Sequence, residues 1–280
     1  MNNSIYPCIT LKGKVAEAAD FYLKAFDDGK IAQSAPFLVQ MQLAGQKFML
    51  LNDGPTSRPN ASISFMVIIE TESELEKYWS SLVEGGEVLM PIDKYDWSPR
   101  YGWIQDKYGV SWQLFLGDNN VSMQKFSPTF MFSGDKAGQA KEAVHFYSSV
   151  FPKSSITGIL NYNDGEGDRT DFVKHAQLLI NNYTLMAMDS SGEHGFTFND
   201  AISMVVECET QAEIDHYWNQ MTSDGGHEVA CGWLTDKFGI SWQIIPKILG
   251  RLMTDPVRGQ RVMAALMKMK RLVIADLENA

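Results

Sequence analysis

The first half of this 280-residue chain has no histidine: His145, His175, His194, His216 and His227 all fall in the second half. Cysteine is nearly as scarce. Cys8, Cys208 and Cys231 show no paired-ligand spacing, so neither a disulfide framework nor a cysteine metal site is indicated. An odd, sparse set suits reduced thiols in a cytoplasm. Positive charge is outnumbered, with 24 Lys and Arg against 34 Asp and Glu, a net charge of −10. Such a surface repels phosphate backbones and anionic lipid, which argues against nucleic-acid and membrane-surface partners. No apolar run approaches the length of a membrane span. The opening MNNSIYPCIT lacks the basic start and apolar stretch of a signal peptide.

The chain does contain a repeat. Gly102–Leu114 reads GWIQDKYGVSWQL and Gly232–Ile244 reads GWLTDKFGISWQI, with eight of thirteen positions identical at a constant offset of 243 − 113 = 130. The likeness extends outward. Tyr6-Pro7 through Gly13 matches Ser127-Pro128 through Gly134, each an apolar strand ending at a glycine. AEAADFYLKAF (Ala16–Phe26) and KEAVHFYSSVF (Lys141–Phe151) carry helical spacing. Phe37–Leu43 with Lys47–Asn52, and Phe172–Ile180 with Thr184–Met188, read as strand pairs turning at Gly45 and at Asn181-Asn182. Asn60–Ser64 aligns with Asn199–Ser203 as the start of another strand. Helices carrying Tyr78-Trp79 and Tyr217-Trp218 stop at Gly85-Gly86 and Gly225-Gly226. The shared phrase closes each copy as two strands around Gly109 or Gly239. Each copy therefore reads strand–helix–strand–strand–strand, twice over.

These residues resemble the vicinal-oxygen-chelate superfamily of glyoxalases and dioxygenases. Within it they resemble the PhnB-like, 3-demethylubiquinone-9 3-methyltransferase-like group. The match rests on FNDAIS (Phe198–Ser203), HYW (His216–Trp218) and CGWLTDKFGISWQIIP (Cys231–Pro246), with MPIDKYDWSPRYGW (Met90–Trp103) in the first copy. The resemblance implies an α+β fold of two tandem glyoxalase-like domains, each of paired βαβββ modules around a cavity, plus a C-terminal helix. The expected divisions are 1–118, a linker at 119–127, 128–248 and a tail at 249–280. Val262, Leu266, Met269, Val273 and Leu277, widened by Met263 and Met267, predict one amphipathic tail helix covered by the first copy or by a second chain.

In metal-dependent members of the superfamily, the first and last strands of each module supply one ligand apiece. Carried over, the last strands offer Gln113 and Gln243, and the first strands offer Ser62 and Ala201. One neutral amide per copy does not make a divalent-metal site, so no metal is expected. No glycine-rich strand-to-helix loop suggests a nucleotide-type cofactor, and none is expected. Strand alternation sets Gln113 and Gln243 on the face opposite Trp112 and Trp242, and the resemblance implies that the glutamine side lines the cavity and the tryptophan side the core. His175, on a strand, is a candidate cavity residue and general base. The other four histidines belong on helices (His145, His216) or in loops (His194, His227), facing solvent. Cys231 is a candidate cavity thiol or a small buried hydrophobe. The expected partner is a small organic molecule, with a homodimer also in view. Two readings follow: a metal-free binding protein, or a lyase- or dioxygenase-like enzyme with its site in the second copy.

Overall fold

The periodicities fold as four rounds of one five-element module. A computed structural model describes residues 4–52, 57–118 and 124–280. The first module holds β1 (Ile5–Thr10), α1 (Val15–Ala25), β2 (Gly29–Ala35), β3 (Leu38–Leu43) and β4 (Gln46–Leu51). The second holds β5 (Ile63–Ile69), α2 (Glu72–Leu82), β6 (Glu87–Tyr95), β7 (Ser98–Gln105) and β8 (Ser111–Leu116). The third holds β9 (Phe126–Phe132), α3 (Ala140–Val150), β10 (Ser154–Asn161), β11 (Val173–Ile180) and β12 (Tyr183–Asp189). The fourth holds β13 (Ile202–Cys208), α4 (Gln211–Met221), β14 (His227–Glu228), β15 (Trp233–Thr235) and β16 (Ser241–Pro246). In every module the first strand runs parallel to the last. A parallel pair needs a long crossover, and each module's helix lies on it.

The sheets do not follow the two copies. One has the order β10-β11-β12-β9-β5-β8-β7-β6, the other β14-β15-β16-β13-β1-β4-β3-β2. The second module therefore shares a sheet with the third. The chain after β8 returns as β9 antiparallel to β5, with Ser64 opposite Thr129. That pairing completes one sheet before the fourth module begins. Most of the expected linker, residues 119–123, lies outside the described residues. Packing separates Pro7–Ile202 from a second unit, Ser203–Ala280 with the opening residues through Tyr6.

Within the first unit the helix side of the sheets is aromatic. Trp112 is fully buried, with ring centroids 5.5 Å from Tyr22, 4.9 Å from Phe26 and 5.1 Å from Phe65. Gln113, next along β8, must face the other way. The turn between β7 and β8 uses Gly109 at φ +87°, and a Cβ there would meet the Pro59 carbonyl oxygen at 2.8 Å.

The tail is not one helix. It forms α5 (Leu249–Met253), α6 (Gly259–Leu266) and α7 (Ile274–Glu278). Its cover is the second copy itself. Leu252, Val262, Leu272 and Leu277 bury together against Ile245 and Ile248. Helix is interrupted where the chain runs beside the second copy's shortened hairpin: Cys231 and Gly232 donate their N–H groups to the Met269 and Lys270 carbonyls at 2.7 and 2.8 Å. Met267, expected in the apolar stripe, is 64% exposed. Among the described residues, no helix is long and apolar enough to cross a membrane.

Two tests follow from this tail. Leu272→Ala should cost about 2–5 kcal/mol in urea unfolding followed by tryptophan fluorescence, with Met267→Ala within about 0.5 kcal/mol of the parent. Deleting residues 256–280 should lower the melting temperature or cause aggregation. Equal behaviour of the two point variants, or an unchanged melt on deletion, would contradict the buried cluster.

Candidate functional site

On the face opposite the helices, pairing aligns the central strands of the first sheet. Ser64 of β5 stands beside Thr129 of β9, and Thr129 beside Met186 of β12. Gln113 of β8 stands beside Met66 and Trp103. Gln113 is 3% exposed and both ends of its amide are engaged. Tyr101 donates its hydroxyl to Gln113 Oε1 at 2.7 Å, and Gln113 Nε2 donates to Ser64 Oγ at 2.7 Å. Burial, with a further contribution from Tyr95, pushes the Tyr101 phenol well above its usual range, so it stays a neutral donor. Ala61, Tyr101, Trp103 and Met131 form an apolar cluster, rimmed by partly exposed Met66, Met90, Tyr95, Phe115, Met188 and Phe196. Tyr95 stacks on Trp97 at 5.0 Å and both meet Tyr101 edge-on, so the β6–β7 hairpin adds three aromatic rings.

His175 lies on this same sheet, although it belongs to the second copy. It pairs with Leu160 of β10, and its side chain falls on the Gln113 face by the register Ala176–Ala187 and Met188–Met131. Four strand steps separate β11 from β8. Burial holds the imidazole below its ordinary value, so it is neutral near pH 7. Ser62 is buried at the entry to β5, where its N–H is bonded by Asn60 and its carbonyl by Met131. The serine that reaches Gln113 is Ser64, two residues on. The second copy repeats the contact as Gln243 Nε2 to Ser203 Oγ at 3.0 Å. Gln113 and Gln243 occupy equivalent registers, beside Met66 and Val205. Ser64 and Ser203 were already aligned in the repeat, and that identity was the available signal.

The Gln243 surroundings differ from those of Gln113. Position 231 corresponds to 101, so a cysteine stands where the first copy has its hydrogen-bonding tyrosine. Cys231 is half-buried at φ +60°, its Sγ 3.6 Å from Met267 Sδ, and burial raises its thiol pKa. It is a turn residue held by the tail, not an activated nucleophile. Tyr6 donates to Glu207 Oε1 at 2.9 Å, which places a carboxylate on β13. His145, His194 and His216 are exposed on α3, in a loop and on α4. His227, expected in a loop, opens β14 and pairs with Thr235.

These positions do not suit a divalent metal. The first and last strands of the second and third modules present Ser64, Gln113, Thr129 and Met186, with no carboxylate or imidazole among them. The one amide oxygen already accepts from Tyr101. Among the described residues, no cluster of three or more His, Cys, Asp or Glu occurs.

The shared aspartate of this turn is structural. Asp106 Oδ1 accepts from the N–H groups of Tyr108 and Val110 at 2.8 and 3.1 Å, and Oδ2 accepts from Trp112 Nε1 at 2.8 Å. Asp236 makes the matching three bonds to Phe238, Ile240 and Trp242 at 2.9, 3.0 and 2.9 Å. Burial raises the Asp106 carboxyl to about 6, against the hydrogen bonds from Trp112 and Tyr108, which lower it.

Four βαβββ modules, paired two to a sheet, with polar residues on the face away from the helices, define a protein of the vicinal-oxygen-chelate superfamily. The chain matches the 3-demethylubiquinone-9 3-methyltransferase family over residues 3–115 and again over 124–245, and it belongs to that family. Among solved structures it is similar to the PhnB protein of Bacillus cereus, which carries the same family description. The two are 32% identical over 39% of this chain and 96% of that one, with a TM-score of 0.36. It is similar in fold to glyoxalase I of Zea mays, 10% identical over 85% of this chain and 90% of that one, TM-score 0.59. A glyoxalase-related enzyme from Fulvimarina pelagi is 22% identical over 44% and 95% of the two chains, TM-score 0.33. No curated protein matches the chain.

Tyr101→Phe leaves the Gln113 oxygen buried without its donor, and should cost about 1–3 kcal/mol in chemical unfolding. An unchanged midpoint would mean the bond is not formed. Asp106 supplies a pH test. Its folded value, about 6, exceeds the ordinary 3.8, so folding favours the protonated form. Its contribution to stability is full below pH 3.8 and is lost as pH rises through about 6. Across that window the melting temperature of the parent should fall relative to that of Asp106→Asn. Parallel curves would contradict the raised value.

Proposed function

We propose that this protein binds a small organic molecule, without a metal, against the Gln113 face of the first sheet. The observation that carries this reading is the buried Tyr101–Gln113–Ser64 relay in the middle of an apolar cluster with an accessible rim. Apolar walls with a few fixed polar groups are the usual composition of a small-molecule site. Met66, Met90, Met131 and Met188 make the wall adaptable, because an unbranched thioether fills irregular shapes. The neutral donor set favours a ligand recognised by hydrogen bonds over one captured by charge. Two copies in one chain stand in for the two subunits of a single-domain dimer, a reading supported by a sheet that joins modules of both copies. Three cysteines outside any disulfide support a reducing, cytoplasmic setting.

One observation favours a second reading, an enzyme of lyase or dioxygenase type. The His175 imidazole is kept neutral by burial and has no hydrogen-bond partner among the described residues, which suits a general base.

Untagged protein analysed by native mass spectrometry should release a bound small molecule on denaturation. Gln113→Leu should weaken its rebinding by about tenfold, the loss of roughly 1.4 kcal/mol, while Gln243→Leu should leave it within about twofold. Chelator treatment should change neither. Equal losses in the two variants would mean two working sites. A stoichiometric metal whose removal abolishes binding would sink the metal-free reading. Turnover of the released molecule, lost in His175→Ala, would establish the enzyme instead.

A further inference from the structure

Away from the Gln113 face, the first unit has a pocket of about 440 Å³ where β1 turns into α1. Lys12, Lys14, Arg58 and Lys107 all line it, a concentration of positive charge on a chain of net charge −10. Among the described residues, Lys12, Lys14 and Arg58 form no ion pair. Lys107 is steered by Phe21, whose ring centroid lies 4.6 Å from its Nζ. Of the acidic groups nearby, the Asp106 carboxylate is already taken by three donors, and Glu17 accepts from the Tyr108 hydroxyl at 2.7 Å. Glu87 and Asp106 are the acidic residues of the lining, against four cations. Thr10 also lines the pocket. It is 3% exposed, and its Oγ1 has no hydrogen-bond partner. Lys14 is the N-cap of the eleven-residue α1, and no side chain caps that helix start. The first N–H groups of a helix lack internal partners and favour negative charge.

The repeat supplies an internal comparison. At the equivalent helix, Asp189 Oδ1 accepts from Gly138 and Ala140 at 2.8 and 3.1 Å, so α3 carries its own anion. In the first copy the residue after the last strand is Asn52, whose Oδ1 has no partner. The cations change in the opposite sense. By the alignments of Gly13 with Gly134, of Asn60 with Asn199 and of the two helix starts, the second copy has Ser133, Gln139 and Thr197 in place of Lys12, Lys14 and Arg58. Only Lys107 is kept, as Lys237. The first copy thus lacks the built-in carboxylate and carries cations at three positions where the second copy has neutral residues, while the second has Lys136 in its longer segment before α3.

We propose that the start of α1, with Lys12, Lys14, Arg58 and Lys107, binds the phosphate group of a small molecule. A single carboxylate would leave most of this charge unmatched, whereas a multivalent oxyanion meets the cations and the helix N–H groups together. The site is separate from the Gln113 face and does not depend on what binds there.

The test is calorimetric titration of the full chain at low ionic strength with inorganic phosphate, pyrophosphate and citrate. One saturable site per chain is expected, tightest for pyrophosphate. Lys14→Ala with Arg58→Ala should weaken it by about tenfold or more, while Lys237→Ala in the second copy should change it by less than about twofold. Asn52→Asp should restore the internal carboxylate. That variant should melt at higher temperature without anion, and should lose the stabilisation that pyrophosphate gives the parent. No saturable binding of either phosphate would overturn the proposal. So would tighter binding of citrate, equal loss in Lys237→Ala, or pyrophosphate affinity that survives both the double variant and Asn52→Asp.

Discussion

Everything in this structure depends on the parallel pairing of each module's first and last strands. That pairing forces a crossover, and the crossover puts a helix on one face of the sheet. The face left over is where polar residues can be held at fixed spacing. Because β5 and β8 run in register, a serine on one meets a glutamine amide on the other, and the same contact recurs in β13 and β16. The two contacts are one geometric solution used twice. Their surroundings then diverge, through Tyr101 in one copy and Cys231 in the other.

Much of this was legible beforehand. The thirteen-residue phrase located β7–β8 and β15–β16, helical spacing located α1 and α3 within a residue, and the Tyr-Trp pairs marked α2 and α4, whose ends fall three to four residues before the paired glycines. The orientation of Trp112 and Gln113 followed from strand alternation. Three things were not legible. The strands β2 and β10 are largely exposed and carry no apolar alternation, so no periodic signal marks them individually. The sharing of sheets between copies depends on which strand edges meet, and residue pattern within a strand does not encode that. The apolar spacing of the tail is consistent with a helix, but the carbonyls of Met269 and Lys270 are drawn to the Cys231–Gly232 turn, a tertiary demand that outweighs local propensity.

The candidate site was only partly readable. Gln113 and Gln243 were found because a glutamine falls where metal-binding relatives place a ligand. Ser62 was two residues short, at the entry to the strand that carries Ser64. His175 was assigned to the second copy's cavity because it is encoded there, yet it lies on the sheet that carries Gln113. Sequence proximity to the second glutamine was the wrong guide, since sheet membership is set by strand order and not by repeat number.

The outer strands of the two sheets are β10, β6, β14 and β2. Each is interrupted or cut short. Register shifts break β10 near Gly158, β2 between Ile31 and Gln33, and β6 at several points around Met90 and Asp93. The fourth, β14, has only two residues, and beyond it Val229 donates to the Trp233 carbonyl while Cys231 and Gly232 donate to the tail. Two open eight-stranded sheets would otherwise present four long rows of unpaired backbone groups, each a template for another chain. Here none offers a continuous ladder, and Pro91 removes a donor from the longest. Interruptions of this kind work against edge-to-edge stacking into fibres.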